Sequence, residues 1–170
     1  MLTDAERLAC SVRPPFVETA NKETWWPNGV RHLFAAYDLS HDKLYGHTKP
    51  RKRRVEFLTF LRYVRTLYPP AVRIGIVLDN YSPHLSTRDD PRVGDRAKTN
   101  NVELAYVPTN ASWLNRIKPQ FAGLRYFTLD GTDHGSHAEQ GLMIRRYIAW
   151  RNRHARDVRL QTVVNRAKVA

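Results

Sequence analysis

The sequence predicts a mixed α/β domain, a single sheet with helices on its faces. Three observations carry that expectation. Two apolar runs, at 72–78 (VRIGIVL) and 102–107 (VELAYV), have the length of strands. An amphipathic stretch at 54–68 lies between a hairpin pattern and the first of those runs, so it reads as a crossover helix joining parallel strands. The chain has 170 residues, 42% of them hydrophobic, with four Trp, eight Tyr and six Phe, enough for one domain with a real core.

Taken in order, residues 1–28 give the weakest pattern. A short helix is expected from Asp4 to Cys10, ending before Pro14 and Pro15. Residues 30–39 form a near-continuous apolar run and predict a central strand. Ser40, His41 and Asp42 make a turn, and 44–47 pairs back as a hairpin strand. In the crossover helix, Phe57, Leu58, Leu61, Val64 and Leu67 share a face, flanked by Phe60 and Tyr63, with Arg62 and Arg65 away from it. Pro69 and Pro70 end it. The strand at 72–78 then delivers Asp79 and Asn80 to a sheet edge. Residues 85–101 predict a short helix and a loop.

Beyond the second apolar run, Thr109, Asn110 or Ser112 can cap a helix from about Trp113, with Trp113, Ile117 and Phe121 on its buried face. Pro119 would then fall in the interior of that helix at a cost of ~3 kcal/mol. A last helix is expected over 138–152, with Met143, Ile144, Tyr147 and Ile148 as its apolar face and arginines around it. A short basic tail helix containing Val163, Val164 and Ala167 follows.

Charge narrows the function classes. Net charge is +12 and the pI about 10.3, an imbalance that points to a polyanionic partner, most simply nucleic acid. The phosphate-contact candidates are Lys49, Arg51, Lys52, Arg53 and Arg54 in the KPRKRR cluster, with Arg116, Arg145 and Arg146 elsewhere. Cys10 is the only cysteine, so no internal disulfide is expected, which favours a reducing, cytoplasmic setting. No apolar run approaches the roughly 20 residues of a membrane helix, and no secretory signal pattern opens the chain. Asp133, His134 and His137 lack the spacing of a zinc site and read as surface residues.

Two motifs resemble a known family. VLDN at 77–80 with His84 after it, and PTNASWLNRI at 108–117, resemble the catalytic domain of mariner-like DDE transposases of the bacterial insertion-sequence branch. GVRHLFAAYDL at 29–39, LYGH at 44–47 and GLRYF at 123–127 extend the likeness. The resemblance implies a ribonuclease-H-like mixed sheet and metal-dependent DNA strand cleavage and transfer in transposition. It makes DNA the partner, in homo-oligomers or in association with an intact transposase, with no membrane role. In the family, two magnesium (or manganese) ions activate the attacking oxygen and stabilise the leaving one. Asp79 matches the second metal-binding acid, and His84 could orient a phosphate or water, or make a structural hydrogen bond.

The sequence departs from the family at two acids. The residue after NRI, a glutamate in the family, is Lys118 here. Like charges at ~4 Å cost a few kcal/mol at an effective dielectric of 20, so metal binding is expected to be impaired. Lys118 is instead expected to pair with Asp79. No apolar strand ending in aspartate precedes Gly29, so the sheet is expected to lack its first strand, leave an exposed edge, and be truncated and degenerate. The expected division is a poorly defined remnant over 1–28, a DDE catalytic domain over 29–154 and a basic tail over 155–170. Three functions compete: an inactive transposase domain, a live nuclease recruiting Asp38 or Glu18 as replacement acids, and a non-catalytic DNA-binding or regulatory remnant.

Overall fold

The computed structural model describes residues 6–12, 30–108, 116–160 and 162, the first segment as backbone. The elements are β1 (Glu6–Val12), β2 (His32–Asp38), β3 (Lys43–Lys49), α1 (Arg54–Thr66), β4 (Ile74–Leu78), α2 (Arg92–Thr99), β5 (Val102–Tyr106), α3 (Lys118–Thr128) and α4 (His137–Arg153). The strands form one sheet in the order β3-β2-β1-β4-β5. β2 runs antiparallel to β1 and β3, while β1, β4 and β5 are parallel. This is the mixed sheet with flanking helices of the ribonuclease-H-like class.

The expectation of a missing first strand is corrected. β1 occupies the centre of the sheet, with Cys10 level with Ala36 of β2 on one side and Leu78 of β4 on the other. It comes from within the 1–28 stretch that the sequence set apart, and it replaces the helix expected over 4–10. ERLACSV is short and of mixed polarity, so local preference decides little. Pairing decides the outcome: β2 and β4 each present a row of unpaired backbone groups that only a strand between them satisfies.

Both faces of the sheet are covered, and β2 shows it by alternation. Phe34 and Ala36 join Phe57, Phe60, Leu61 and Val64 of α1 and Ile74, Ile76 and Leu78 of β4 in one core layer. Leu33 and Ala35 join Ile117, Phe121, Leu124, Ile144 and Tyr147 in the other. The buried stripe of α1 therefore includes Phe60, fully buried, and leaves Leu58 and Leu67 half-buried at its margin. Arg65, off that stripe, donates to the carbonyls of Val72, Asn100 and Tyr68 and ties the helix end to the next strand.

The helix after β5 begins later than the sequence suggests. α3 opens at Lys118 and places Pro119 in its first turn, where a missing N–H costs nothing. The expected interior clash does not arise. The helix expected from Trp113, with its caps, and the tail residues Val163, Val164 and Ala167 lie outside the described residues. α4 is capped by Ser136, whose Oγ accepts from the Glu139 amide at 3.2 Å, while Glu139 accepts from the Gly135 amide at 2.9 Å.

α4 lies close on β3. A side chain at Gly46 would meet Ile148 and Leu33 at 3.0 and 3.1 Å, so this strand position admits no Cβ without movement. The buried face of α4 is Gly141, Ile144, Tyr147 and Arg151, and Met143 is 36% exposed rather than part of it. Arg151 departs furthest from the expected basic surface. It is 1% exposed, donates to the backbone carbonyl and carboxylate of Asp42, and donates to Gln120 Oε1 at 3.1 Å. Tyr37 donates to Asp42 at 2.7 Å, and burial, then the Asp42 contact, push the phenol up to about 12. Asn152 bonds both the N–H and C=O of Leu44 at 2.7 Å.

The β2–β3 turn itself is built on Asp38. Its buried carboxylate accepts from the Ser40 and His41 amides at 2.8 and 3.0 Å, from Tyr68 Oη at 2.6 Å and from His41 Nδ1 at 2.7 Å. Burial pushes this carboxyl up, but the Tyr68, His41 and Ser40 bonds outweigh it and hold it below its ordinary value.

Replacing Arg151 by Leu leaves Asp42 buried without its cation, and urea denaturation is expected to show a loss of about 3–5 kcal/mol. Asp38→Asn is expected to cost about 1–3 kcal/mol at neutral pH. Because the folded carboxyl sits below its ordinary value, its contribution is present above that value and fades as pH falls through the lowered range. The gap between wild type and Asp38→Asn is thus expected to be wide in urea melts at pH 7 and narrow at pH 3. A pH-independent gap contradicts the assignment.

Candidate active site

The site sits where β4 ends. Ile74, Ile76 and Leu78 are buried at 1% exposure or less and fix the strand, and Asp79 is the first residue beyond it. The chain then closes on itself. Asn80 Nδ2 donates to the Val107 carbonyl at 2.9 Å, and the Val107 amide donates to the Leu78 carbonyl at 2.9 Å. The exits of β4 and β5 are thereby clamped together. A 3₁₀ turn at Ser82–His84 follows, with Pro83 in its first positions.

His84 is the support of Asp79. Its side chain is fully buried, and Nδ1 donates to Asp79 Oδ1 at 2.6 Å. The carboxylate can only accept, so this bond places the proton on Nδ1. The Phe57 ring packs on the imidazole at a centroid distance of 4.3 Å, and Tyr81 meets it edge-on at 5.4 Å. Tyr106 Oη donates to the His84 carbonyl at 2.9 Å. Three elements therefore hold one histidine, and the histidine holds the acid.

Part of the basic cluster reaches this turn. Arg54, the first residue of α1, pairs with Asp90 and donates to the Ser82 carbonyl at 3.1 Å. Arg92 and Arg54 together hold the Asp90 carboxyl well below the usual range. Lys52 Nζ lies 5.4 Å from the Tyr81 ring centroid. Arg53 pairs with Glu56 at 2.6 Å. Arg51 is exposed and Lys49 half-buried at the end of β3. The crossover runs α1 back against β4, which puts its N-terminus, where a helix favours anions, at the Asp79 end of the sheet.

The other candidates stand on other elements, and the expected ion pair between Lys118 and Asp79 is not formed among the described residues, where Asp79 pairs with His84. Arg116 is exposed in the turn before α3, Lys118 is exposed at its first position, and Arg145 and Arg146 are exposed on α4. Asp38 is not brought to the site. It is level with Leu8 and Ile76, three residues short of Asp79 and two strands away, roughly 14 Å by ordinary strand spacing and rise. Its oxygens are committed to the turn described above. Asp4 and Glu18 lie outside the described residues. His134 Nε2 donates to the Thr128 carbonyl at 2.7 Å, a structural role. The cap formed by Ser136 and Glu139 was readable as S-x-x-E but not singled out from the sequence, and the burial of Arg151 carried no sequence signal.

The donor set of the described residues does not offer a magnesium or manganese pair its ligands. Among the described residues, no three His, Cys, Asp or Glu side chains converge. Asp79 commits one oxygen to His84. In the register Cys10↔Leu78 the next β1 residue, Ser11, comes level with Asp79, and the only acid in β1 is Glu6, at the opposite end beside Ile74. α3 begins with an ammonium. Divalent magnesium needs several oxygen ligands at short octahedral distances, which a single carboxylate bonded to His84 does not supply. No helix among the described residues is long and apolar enough to cross a membrane.

Comparison with known proteins places this geometry. No curated protein matches the chain. Among solved structures, the fold is similar to a chain in the cryo-EM structure of the simian T-cell lymphotropic virus intasome in complex with PP2A regulatory subunit B56 gamma. The TM-score is 0.56 at 11% sequence identity, over 83% of this chain and 47% of that one. At that identity the likeness speaks for the fold alone, and this chain spans less than half the length of its neighbour. Residues 17–136 match the family model described as DDE superfamily endonuclease. With that match covering more than two thirds of the sequence, the chain belongs to the DDE superfamily endonuclease family.

Proposed function

We propose that the chain is the catalytic domain of a mariner-like insertion-sequence transposase, in a degenerate copy that binds DNA without cutting it. The single observation that supports this reading is the donor set at the end of β4. One carboxylate, Asp79, is held by a buried histidine, while Ser11 stands level with it in β1 and Lys118 opens α3. The catalytic unit in this reading takes in β1 together with 29–154, and 155–170 is a basic tail. In this reading, DNA is held by the cations around the 81–84 turn.

The non-catalytic alternative shares the same surface. In it, the domain associates with intact relatives and lowers their activity by occupying DNA ends, within the cytoplasm and on the nucleoid. Net charge of +12 and the exposed Arg51 beside Lys52 favour DNA retention in either case.

Supercoiled plasmid incubated with magnesium or manganese is expected to remain unnicked by the wild type and by Asp79→Asn alike. Metal-dependent nicking that disappears in Asp79→Asn would show a working site and overturn the reading. DNA binding is expected at low salt, unchanged by Asp79→Asn. The double substitution of Arg51 and Lys52 by Ala is expected to flatten the slope of log affinity against log salt by about 2. A slope that does not move would exclude these cations as phosphate contacts.

A further inference from the structure

A second surface, on the other side of the sheet from the Asp79 turn's packing, is not used by the reading above. α3 ends and α4 turns outward in a cluster of exposed rings. Tyr126 is 62% exposed, Phe127 43%, Trp150 36% and Met143 36%. Phe127 stacks on Tyr147 at 5.6 Å with 19° between the planes. Trp150 lies 6.2 Å from each of them, and the His154 ring lies 4.6 Å from Trp150, tilted by 35°. Phe127, Met143, Tyr147 and Trp150 line a shallow hollow, and Arg146 completes its wall. The opposite faces of the same helices fill the core with Ile117, Phe121, Leu124 and Ile144, so packing does not require these outer rings.

Contiguous exposed aromatic surface of this kind marks a binding site. Charge selects the occupant. α4 exposes Arg146 in the wall of the hollow and Arg153 beside this face, against one acid, Glu139, in its first turn. A second copy would bring the same cations against these, in a chain already at +12. A polyanion is attracted instead. A duplex offers phosphates but keeps the faces of its bases stacked inside. A single strand offers phosphates and bare π faces together, which is what rings interleaved with arginine recognise. We infer that the aromatic face of α3 and α4 is a stacking platform for unpaired bases of single-stranded DNA, with Arg146 beside the backbone phosphates. This rests on the reading of the chain as a DNA-binding domain, and it adds a surface separate from the cations at the 81–84 turn.

The test is fluorescence anisotropy with a labelled oligo-dT strand and, separately, a duplex of equal length. The full chain is compared with Trp150→Leu, Trp150→Tyr and Arg146→Gln, each checked by circular dichroism and thermal melting. Trp150→Leu is expected to weaken oligo-dT binding about tenfold, Trp150→Tyr to keep most of it, and duplex binding to change little. Arg146→Gln, at an exposed position, is expected to reduce the salt slope for oligo-dT by about one and serves if Trp150→Leu does not fold. Unchanged oligo-dT affinity in the folded variants overturns the platform. Duplex binding without oligo-dT binding overturns it while leaving the DNA-binding reading intact. Binding of neither overturns both. A wild-type dimer in sedimentation that Trp150→Leu dissociates assigns the face to self-association and also overturns it.

Discussion

The fold depends on one buried cation. Arg151 lies in the last turn of α4, yet it is sealed between the β2–β3 turn and α3. A guanidinium in that position is tolerated only because Asp42 supplies a carboxylate and a carbonyl, Gln120 a further acceptor and Tyr37 a ring face at 5.3 Å. Asp42 itself takes a left-handed backbone conformation, φ 54°, which lets the tight turn present both its carbonyl and its carboxylate to the same arginine. The contact links three elements far apart in sequence. Through Gln120, two residues from Lys118, it also reaches the first turn of α3.

On the proposed reading, chemistry is lost while the fold stays whole. Asp79, the second acid in that reading, has a dense support: a buried histidine, a phenylalanine ring beneath it, a tyrosine bond behind it and a clamp between the two strand exits. Backbone bonds carry the pairing of β1, so its place in the sheet does not depend on an acid at its end. Lys118 opens α3 as well as a glutamate would for the fold, although an ammonium at a helix N-terminus is electrostatically unfavourable. With Pro119 behind it and Gln120 anchored, the helix start does not depend on that side chain.

The sequence made the sheet and its crossover legible because apolar runs ending in polar residues mark buried parallel strands with little ambiguity. VRIGIVLDN gave β4 and Asp79, the hairpin gave β2 and β3, and the spacing of 54–66 gave α1. Three features were not readable, each for a physical reason. β1 is a strand because its neighbours need one, and pairing partners separated by some twenty to seventy residues leave no local trace. Arg151 looks like its surface neighbours, since burial of a cation is set by a distant carboxylate. Pro119 looked disruptive only while the helix was started too early. At the site, Asp79 and His84 were legible as a motif. The role of Asp38 as a turn cap agrees with the turn preference of aspartate, whereas the commitment of Arg54 to Asp90 and Ser82 was not visible.

The central claim is that an ammonium at the start of α3 stands where a metal-binding acid belongs, so that Asp79 alone holds no divalent ion. The most direct test is manganese binding, followed by calorimetry or paramagnetic relaxation of water, in the wild type, Lys118→Glu and Lys118→Glu with Asp79→Asn. The account predicts no saturable site in the wild type at millimolar manganese, measurable binding in Lys118→Glu, and its loss again when Asp79 is replaced. Wild-type binding as tight as that of Lys118→Glu, and abolished by Asp79→Asn alone, would contradict it.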